Sequence, residues 1–253
     1  LEAILQGVEM TDLYILGSGI HGTVQLSMET MQALSTIRRA YVLHDDTLVL
    51  DDIKQYCPDV IDLYSMYHDE REIRRDVYEA IARRIVEDAC QGGGALAFIV
   101  HGHPLFLVSA SEYILHFARD KGLVARALPA VSSFDTMLCD LEIDLGYGVQ
   151  IFDPTTMILN KWHPNPRVPM LLFQLATLMN SNVLMSEPSP DILKPLQDFL
   201  TGHYPNDHKC YFLHSSSHIL EHAQKVECEI GSLSKTEGVE LWKRPTLYVP
   251  GLQ

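Results

Sequence analysis

Leu13-Tyr14-Ile15-Leu16-Gly17-Ser18-Gly19-Ile20-His21-Gly22 is a short apolar run that ends in closely spaced glycines, which predicts a strand delivering a tight loop. The same grammar recurs downstream. Ala95-Leu96-Ala97-Phe98-Ile99-Val100 is nearly all apolar, as expected of a strand covered on both faces, and runs straight into His101-Gly102-His103-Pro104. Between these runs lie helical patterns. Met28, Met31, Leu34 and Ile37 predict a helix over 27–39, and Ile73, Val77, Ile81 and Ile85 predict one over 69–90, stopped by Gly92-Gly93-Gly94. Strands are expected at 40–43, 60–63 and 124–128, with a helix at 109–121 and another capped by Ser132 or Ser133. Alternation of this kind is the mark of an α/β protein.

The second half reads less regularly. Helices are expected at 170–179 and 189–200, and strands at 209–213, 239–242 and 246–249. The predicted organisation is an N-terminal α/β subdomain over 10–147 and a C-terminal one over 148–253. Leu1 to Glu9 precede a methionine and read as an added leader, with the native start expected at Met10.

Composition bounds the function. The chain has 253 residues, enough to bury a sizeable core, and no apolar stretch approaches the roughly 20 residues of a membrane helix. With no signal-like opening, a cytoplasmic location is expected and no membrane partner. A formal charge of −14, from 33 acids against 19 Lys and Arg, argues against nucleic acid, because phosphate contacts need clustered cations. A local basic pocket around Arg74 and Arg75 stays compatible with that total. The five cysteines form no C-x-x-C pair and read as reduced, partly buried thiols.

Three groups of residues carry possible chemistry. The glycine loop has a superficial dinucleotide-loop spacing, but a tight strand-to-helix turn accounts for it and needs no ligand. Asp45 and Asp46 follow the second strand, but not in the established arrangement of a ribose-binding acid. His101 and His103 close a strand at its carboxyl end, where α/β folds place ligands. They lack a third metal ligand at a recognisable spacing, and His214, His218 and His222, four apart and able to share a helix face, lack a carboxylate or cysteine partner, so no metal is expected. Arg74 and Tyr78 are one helical turn apart, on a face bordering the core, with Tyr67 upstream. A guanidinium lying over a ring to brace the helix is the structural alternative for that group.

The order of these motifs resembles the tetrapyrrole-methylase superfamily over nearly all of 10–250. Within it the chain is similar to the borosin peptide α-N-methyltransferases. Their Tyr-Gly-His-Pro loop resembles His101 to Pro104, their Arg-Arg-x-x-Tyr helix Arg74 to Tyr78, and their Ala-Asp-Leu-x-x-Asp segment Cys139 to Asp144. Their Leu-Leu-x-Gln resembles Leu171 to Gln174. The run Leu128 to Asp135, Tyr204 to His208 and Pro245 to Pro250 also fit. His101 stands where the family usually has tyrosine, Leu105 where it often has glycine, and Leu213 where tyrosine is common.

The resemblance implies two α/β subdomains of the class III methyltransferase fold with S-adenosylmethionine in the cleft between them. It assigns the cofactor to His101, His103, Phe106, Leu107, Ser132, Ser133, Gln174, Leu213 and Thr246, and catalysis to Tyr67, Arg74 and Tyr78. Physics is consistent with the second assignment. An amide nitrogen is a poor nucleophile, its lone pair delocalised into the carbonyl. Methylating it requires a base for the N–H proton and a donor for the developing oxyanion, and tyrosine beside arginine supplies both. The implied products are an N-methylated peptide and S-adenosylhomocysteine. The implied partners are a separate precursor peptide methylated in trans, as in split bacterial members, and a second copy of the chain in a homodimer. A tetrapyrrole or other small-molecule methyltransferase, and a relative that binds the cofactor without catalysis, are the alternatives.

Overall fold

The computed structural model describes residues 10–67, 69–216, 218 and 220–252. The expected leader and its boundary with the native chain lie outside the described residues. The chain packs as two compact units, one ending at Asp135 and the other beginning at Thr136, where the sequence reading divides it at 147/148.

The first unit is built on a five-stranded, wholly parallel sheet in the order β3-β2-β4-β1-β5. Its strands are β1 (Leu13–Gly17), β2 (Arg39–Leu43), β3 (Val60–Asp62), β4 (Leu96–Val100) and β5 (Ala125–Ala127). Every residue of β4 is buried, which is why its sequence shows no alternation. Leu16, Ala40, Val42, Ala97 and Ile99 form one face of the sheet and pack with Leu34, Val49 and Ile53 from helices α1 (Met28–Leu34) and α2 (Thr47–Ile53). Helices α3 (Arg74–Cys90) and α4 (Ser109–Asp120) pack against each other.

Helix starts follow the capping residues. Ser27 accepts from the backbone N–H of Thr30, and Asp46 from that of Leu48. Ser132 accepts from the N–H of Asp135, whose carboxylate accepts from the Ser132 N–H in return, and this reciprocal cap opens α5 (Ser133–Leu141). Two helices are shorter than their periodicity implies. α1 stops at Leu34 because the hydroxyls of Ser35 and Thr36 take the carbonyls of Gln32 and Ala33, freeing the chain to enter β2. α3 begins at Arg74 because Asp69 accepts from the N–H of Arg71 and holds the preceding residues in a turn.

A polar knot ties α3 to β2. The Asp88 carboxylate, 8% exposed, accepts from Arg38 at 2.9 Å, from Arg39 at 2.9 Å and from the Tyr41 hydroxyl at 2.8 Å. Burial alone would raise its pKa, but Arg38, Tyr41 and Arg39 outweigh burial and hold it below the usual carboxylate value.

The second unit carries a mixed five-stranded sheet in the order β6-β7-β10-β8-β9. Its strands are β6 (Gln150–Phe152), β7 (Met170–Leu172), β8 (Lys209–His214), β9 (Gln224–Glu229) and β10 (Thr246–Val249). Only β6 and β7 run parallel. Helices α6 (Pro154–Leu159) and α7 (Lys194–Thr201) complete the unit, with Leu172, Leu196, Leu200, Phe212 and Leu247 in its core.

Three elements of this unit differ from expectation. The helix expected over 170–179 is β7 followed by a 3₁₀ turn at Leu175–Thr177. Met170 to Leu172 are buried on both faces of the sheet, and Gln174 adopts a left-handed conformation, φ +61°, that ends any regular element. The strand expected over 239–242 is a 3₁₀ turn at Leu241–Lys243, which buries Leu241 while the Trp242 N–H donates to the Glu187 carboxylate. The helix over 189–200 begins instead as a 3₁₀ turn, Pro190–Leu193, before α7. Cys210 and Cys228 are register partners on β8 and β9 with sulfurs 3.3 Å apart, a pairing that their sequence separation conceals. Among the described residues no helix is long and apolar enough to cross a membrane.

Candidate active site

In a parallel sheet all carboxyl ends lie at one edge, so the loops after β1, β2, β3 and β4 gather there by connectivity. The glycine loop after β1 is closed on itself. The Ser18 N–H donates to the Val100 carbonyl, Gly19 and Gly102 exchange backbone hydrogen bonds, and the Gln25 carboxamide oxygen accepts from the N–H groups of Ile20 and His21 at 2.7 and 3.0 Å. The amides a phosphate would need are already engaged, and the loop leads into a one-turn 3₁₀ helix rather than an α-helix. This is the tight turn, not a dinucleotide loop. Asp46 likewise serves as the α2 cap. Gly17 is required by packing, since a Cβ there would lie 2.0 Å from the Gly102 carbonyl oxygen and 2.8 Å from the Ala130 Cβ. The β1 loop, the β4 loop and the segment leading to α5 therefore meet at one point.

The β4 loop carries four of the residues assigned to the cofactor. His101 Nδ1 lies 3.1 Å from His44 Nε2. His103 Nδ1 accepts from the Leu105 N–H at 3.1 Å, fixing that ring. Leu107 has φ +60°, rare for a branched side chain and a point where the backbone is held in a strained form. The Phe106 ring sits 6.3 Å from that of Phe134, which joins the loop to the start of α5, where Ser132 and Ser133 stand.

Tyr67 follows the 3₁₀ turn Tyr64–Met66 at the carboxyl end of β3, and α3 returns from that end. The Tyr67 and Tyr78 rings meet edge to face, centroids 6.2 Å apart, with Arg74 one turn before Tyr78. All three are half-buried. Arg75, by contrast, is exposed and lies beside Asp76 and Glu79.

In the second unit Gln174, Leu213 and Thr246 come together at one end of the sheet. Leu213 is the register partner of Thr246, both buried, and Gln174 closes β7, whose Leu172 pairs with Leu247. His214, beside Leu213, is 7% exposed, and neither ring nitrogen finds a hydrogen-bond partner among the described residues. Its pKa is lowered, burial being the main cause and Lys243 adding to it, against opposing pulls from Glu240 and Glu187. His214 ends a strand while His218 and His222 lie outside any helix, so the three share no helix face. Among the described residues no group of three or more His, Cys, Asp or Glu is arranged to hold a metal.

The buried neutral state of His214 sets a pH dependence. A histidine whose folded pKa lies below its unfolded value of about 6.5 destabilises the fold as it is forced to take a proton. Stability is therefore complete above that value and is lost as pH falls from there through the folded pKa. Burial and the neighbouring His163 shift His203 in the same direction. Chemical denaturation at pH 7.5 and pH 5 is expected to show lower stability at pH 5, and His214→Gln should reduce the difference. An unchanged difference would remove His214 from that role.

Residues 12–217 match the tetrapyrrole (corrin/porphyrin) methylase family. The chain belongs to that family. Its sheets match those of solved methylases. Uroporphyrin-III-C-methyltransferase from Thermus thermophilus superposes with a TM-score of 0.60 at 18% identity, over 94% of this chain and 93% of that one. A second structure of that enzyme, complexed with S-adenosyl homocysteine, gives 0.61 at 14% identity, over 94% and 96%. In sequence this methylase-family chain is similar to two fungal proteins described as methyltransferase and ribosomally synthesised borosin cyclic peptide precursor in one. The type II protein of Phlebiopsis gigantea is 27% identical over 95% of this chain and 43% of its own length. The type I protein of Cerrena unicolor is 25% identical over 94% and 58%. The methylase-family chain thus spans about half the length of these curated relatives.

Proposed function

We propose that this protein transfers a methyl group from S-adenosylmethionine to backbone amides of a ribosomally made precursor peptide supplied in trans, acting as a homodimer. The observation that carries the reading is the meeting of the Tyr67 and Tyr78 rings by the carboxyl edge of the first sheet, with Arg74 one helical turn before Tyr78, together with the similarity to methyltransferases whose descriptions include a borosin precursor.

The residues fit the cofactor. Within the first unit the β4 loop offers His101, His103, Phe106 and a strained Leu107 backbone, with Ser132 and Ser133 at the reciprocal helix cap; within the second unit, taken by itself, Gln174, Leu213 and Thr246 gather at one end of the sheet. S-adenosylmethionine, when bound, supplies a methyl group on a positively charged sulfur. The chain's own work is on the amide. Tyr78, as its phenolate, takes the N–H proton, and the Arg74 guanidinium donates to the amide oxygen as charge moves onto it. Tyr67, its ring against that of Tyr78, orients the base. A tetrapyrrole, rich in carboxylates, would instead call for a basic surface, and acids outnumber Lys and Arg here by 33 to 19.

Co-expression with a short open reading frame from beside this gene, followed by intact-mass analysis and fragmentation, tests the reading. Whole-methyl increments on backbone nitrogens are expected. A peptide modified only when fused to the chain would overturn the trans arrangement. An unmodified peptide in the presence of a cofactor-binding protein would point to a small-molecule substrate or a non-catalytic relative.

A further inference from the structure

Strands β2 and β4 are neighbours in register, with Leu43 opposite Val100, so the next residues, His44 and His101, face each other across the gap between two carboxyl ends. The chain leaves β2 towards β3 on one side and leaves β4 towards β5 on the other. Opposite departures make this gap the switch point of the sheet, the place where α/β sheets hold ligands.

The hydrogen bonds across the gap determine where the ring protons sit. His44 is 6% exposed, and its Nδ1 accepts from the Asp46 backbone N–H at 2.9 Å. Asp45 Oδ1, 3.4 Å from the same nitrogen, would favour a proton on it. The amide hydrogen at shorter range already occupies that lone pair, and two hydrogens cannot share it. The His44 proton therefore resides on Nε2, which lies 3.1 Å from His101 Nδ1. An N–H at that distance needs an acceptor, so His101 Nδ1 is bare and its proton is on Nε2.

We propose that His44 is a positioning residue that fixes His101 as its Nε2–H tautomer, so that the switch-point loop presents a hydrogen-bond donor to a carboxylate oxygen of the bound ligand. Donors then point one way along the chain from the Asp46 amide through His44 to His101, each bond polarising the next. The inference rests on the proposed function only for the identity of the ligand, S-adenosylmethionine, which carries such a carboxylate.

The test is two-bond proton–nitrogen correlation NMR on protein labelled with ring-¹⁵N histidine, recorded above the histidine titration range, with His101 assigned by its loss in His101→Gln. A bare Nδ1 and a protonated Nε2 on His101 are expected. His44→Leu should give mixed tautomers at His101 and raise the KM for S-adenosylmethionine about fivefold to tenfold, the worth of one neutral hydrogen bond, with kcat nearly unchanged. His44→Gln, whose carboxamide N–H can still donate, should restore both. A protonated Nδ1 on His101 in the unsubstituted protein would overturn the inference whatever the cofactor does. An unaltered His101 pattern in His44→Leu would also overturn it, and if that variant fails to fold, the unsubstituted protein and His44→Gln decide. Absence of cofactor binding with the expected tautomer would overturn the functional reading instead.

Discussion

Tyr78→Phe is expected to lower the methylation rate by about 10²- to 10⁴-fold, the usual contribution of a positioned general base, while leaving cofactor affinity within about twofold. The substitution removes one oxygen and keeps the ring, so the edge-to-face contact with Tyr67 survives and the helix is not disturbed. Loss of rate at intact binding separates proton removal from substrate holding. Single-turnover methylation with saturating peptide, alongside calorimetric titration of the cofactor, reads the two quantities. Full activity in Tyr78→Phe would pass the proton-accepting role to another group, and a collapse of cofactor affinity would make Tyr78 a binding residue.

Asp88→Ala is expected to destabilise the first unit by about 3 kcal/mol, the lower end of the cost of breaking a buried ion pair. The substitution strips an acceptor from Arg38, Arg39 and the Tyr41 hydroxyl together. The lower end applies because Arg38 keeps the Asp88 and Gly94 backbone carbonyls and Arg39 keeps Asp59. Because the folded carboxyl sits below its unfolded value of about 3.9, this stability is present above that pH and is lost as pH falls through the folded pKa. Urea unfolding of Asp88→Ala and Asp88→Asn at neutral pH measures it. A change under about 0.5 kcal/mol, the level of an ordinary surface substitution, would show that the knot is decorative.

The first unit is legible in sequence because its inner strands β1, β2 and β4 are largely buried on both faces and its helices have one apolar stripe each. Runs such as Leu96 to Val100 and the spacing of Val77, Ile81 and Ile85 have no competing reading. The second unit is less so. Met170 to Leu172 is a run too short for periodicity to separate strand from helix, and only the left-handed Gln174 breaks the pattern. β9 escapes the sequence reading, although Val226 and Cys228 alternate with Lys225, Glu227 and Glu229 as an edge strand should. Within the candidate site, residue types draw attention to the loop after β4 and to the Tyr67, Arg74 and Tyr78 group, while only the family resemblance gives them a role. They do not name His44, because its meaning depends on β4 lying between β2 and β1, an order set by packing rather than by succession in the chain. His214 enters the sequence reading only as a rejected metal ligand, since burial, not spacing, is what distinguishes it.

Three of the four outermost strands, β3, β5 and β6, are three residues long, and the fourth, β9, carries Lys225, Glu227 and Glu229. Margins this short or this charged resist the docking of a further strand. A peptide that adds itself to a sheet is gripped through its own amides, and an enzyme that methylates those amides would loosen its hold with every turnover. On the proposed reading, a chain with such sheet margins would grip its peptide by side chains, and that grip would survive the loss of each N–H. Methylation of one residue would then leave the hold on its neighbours intact.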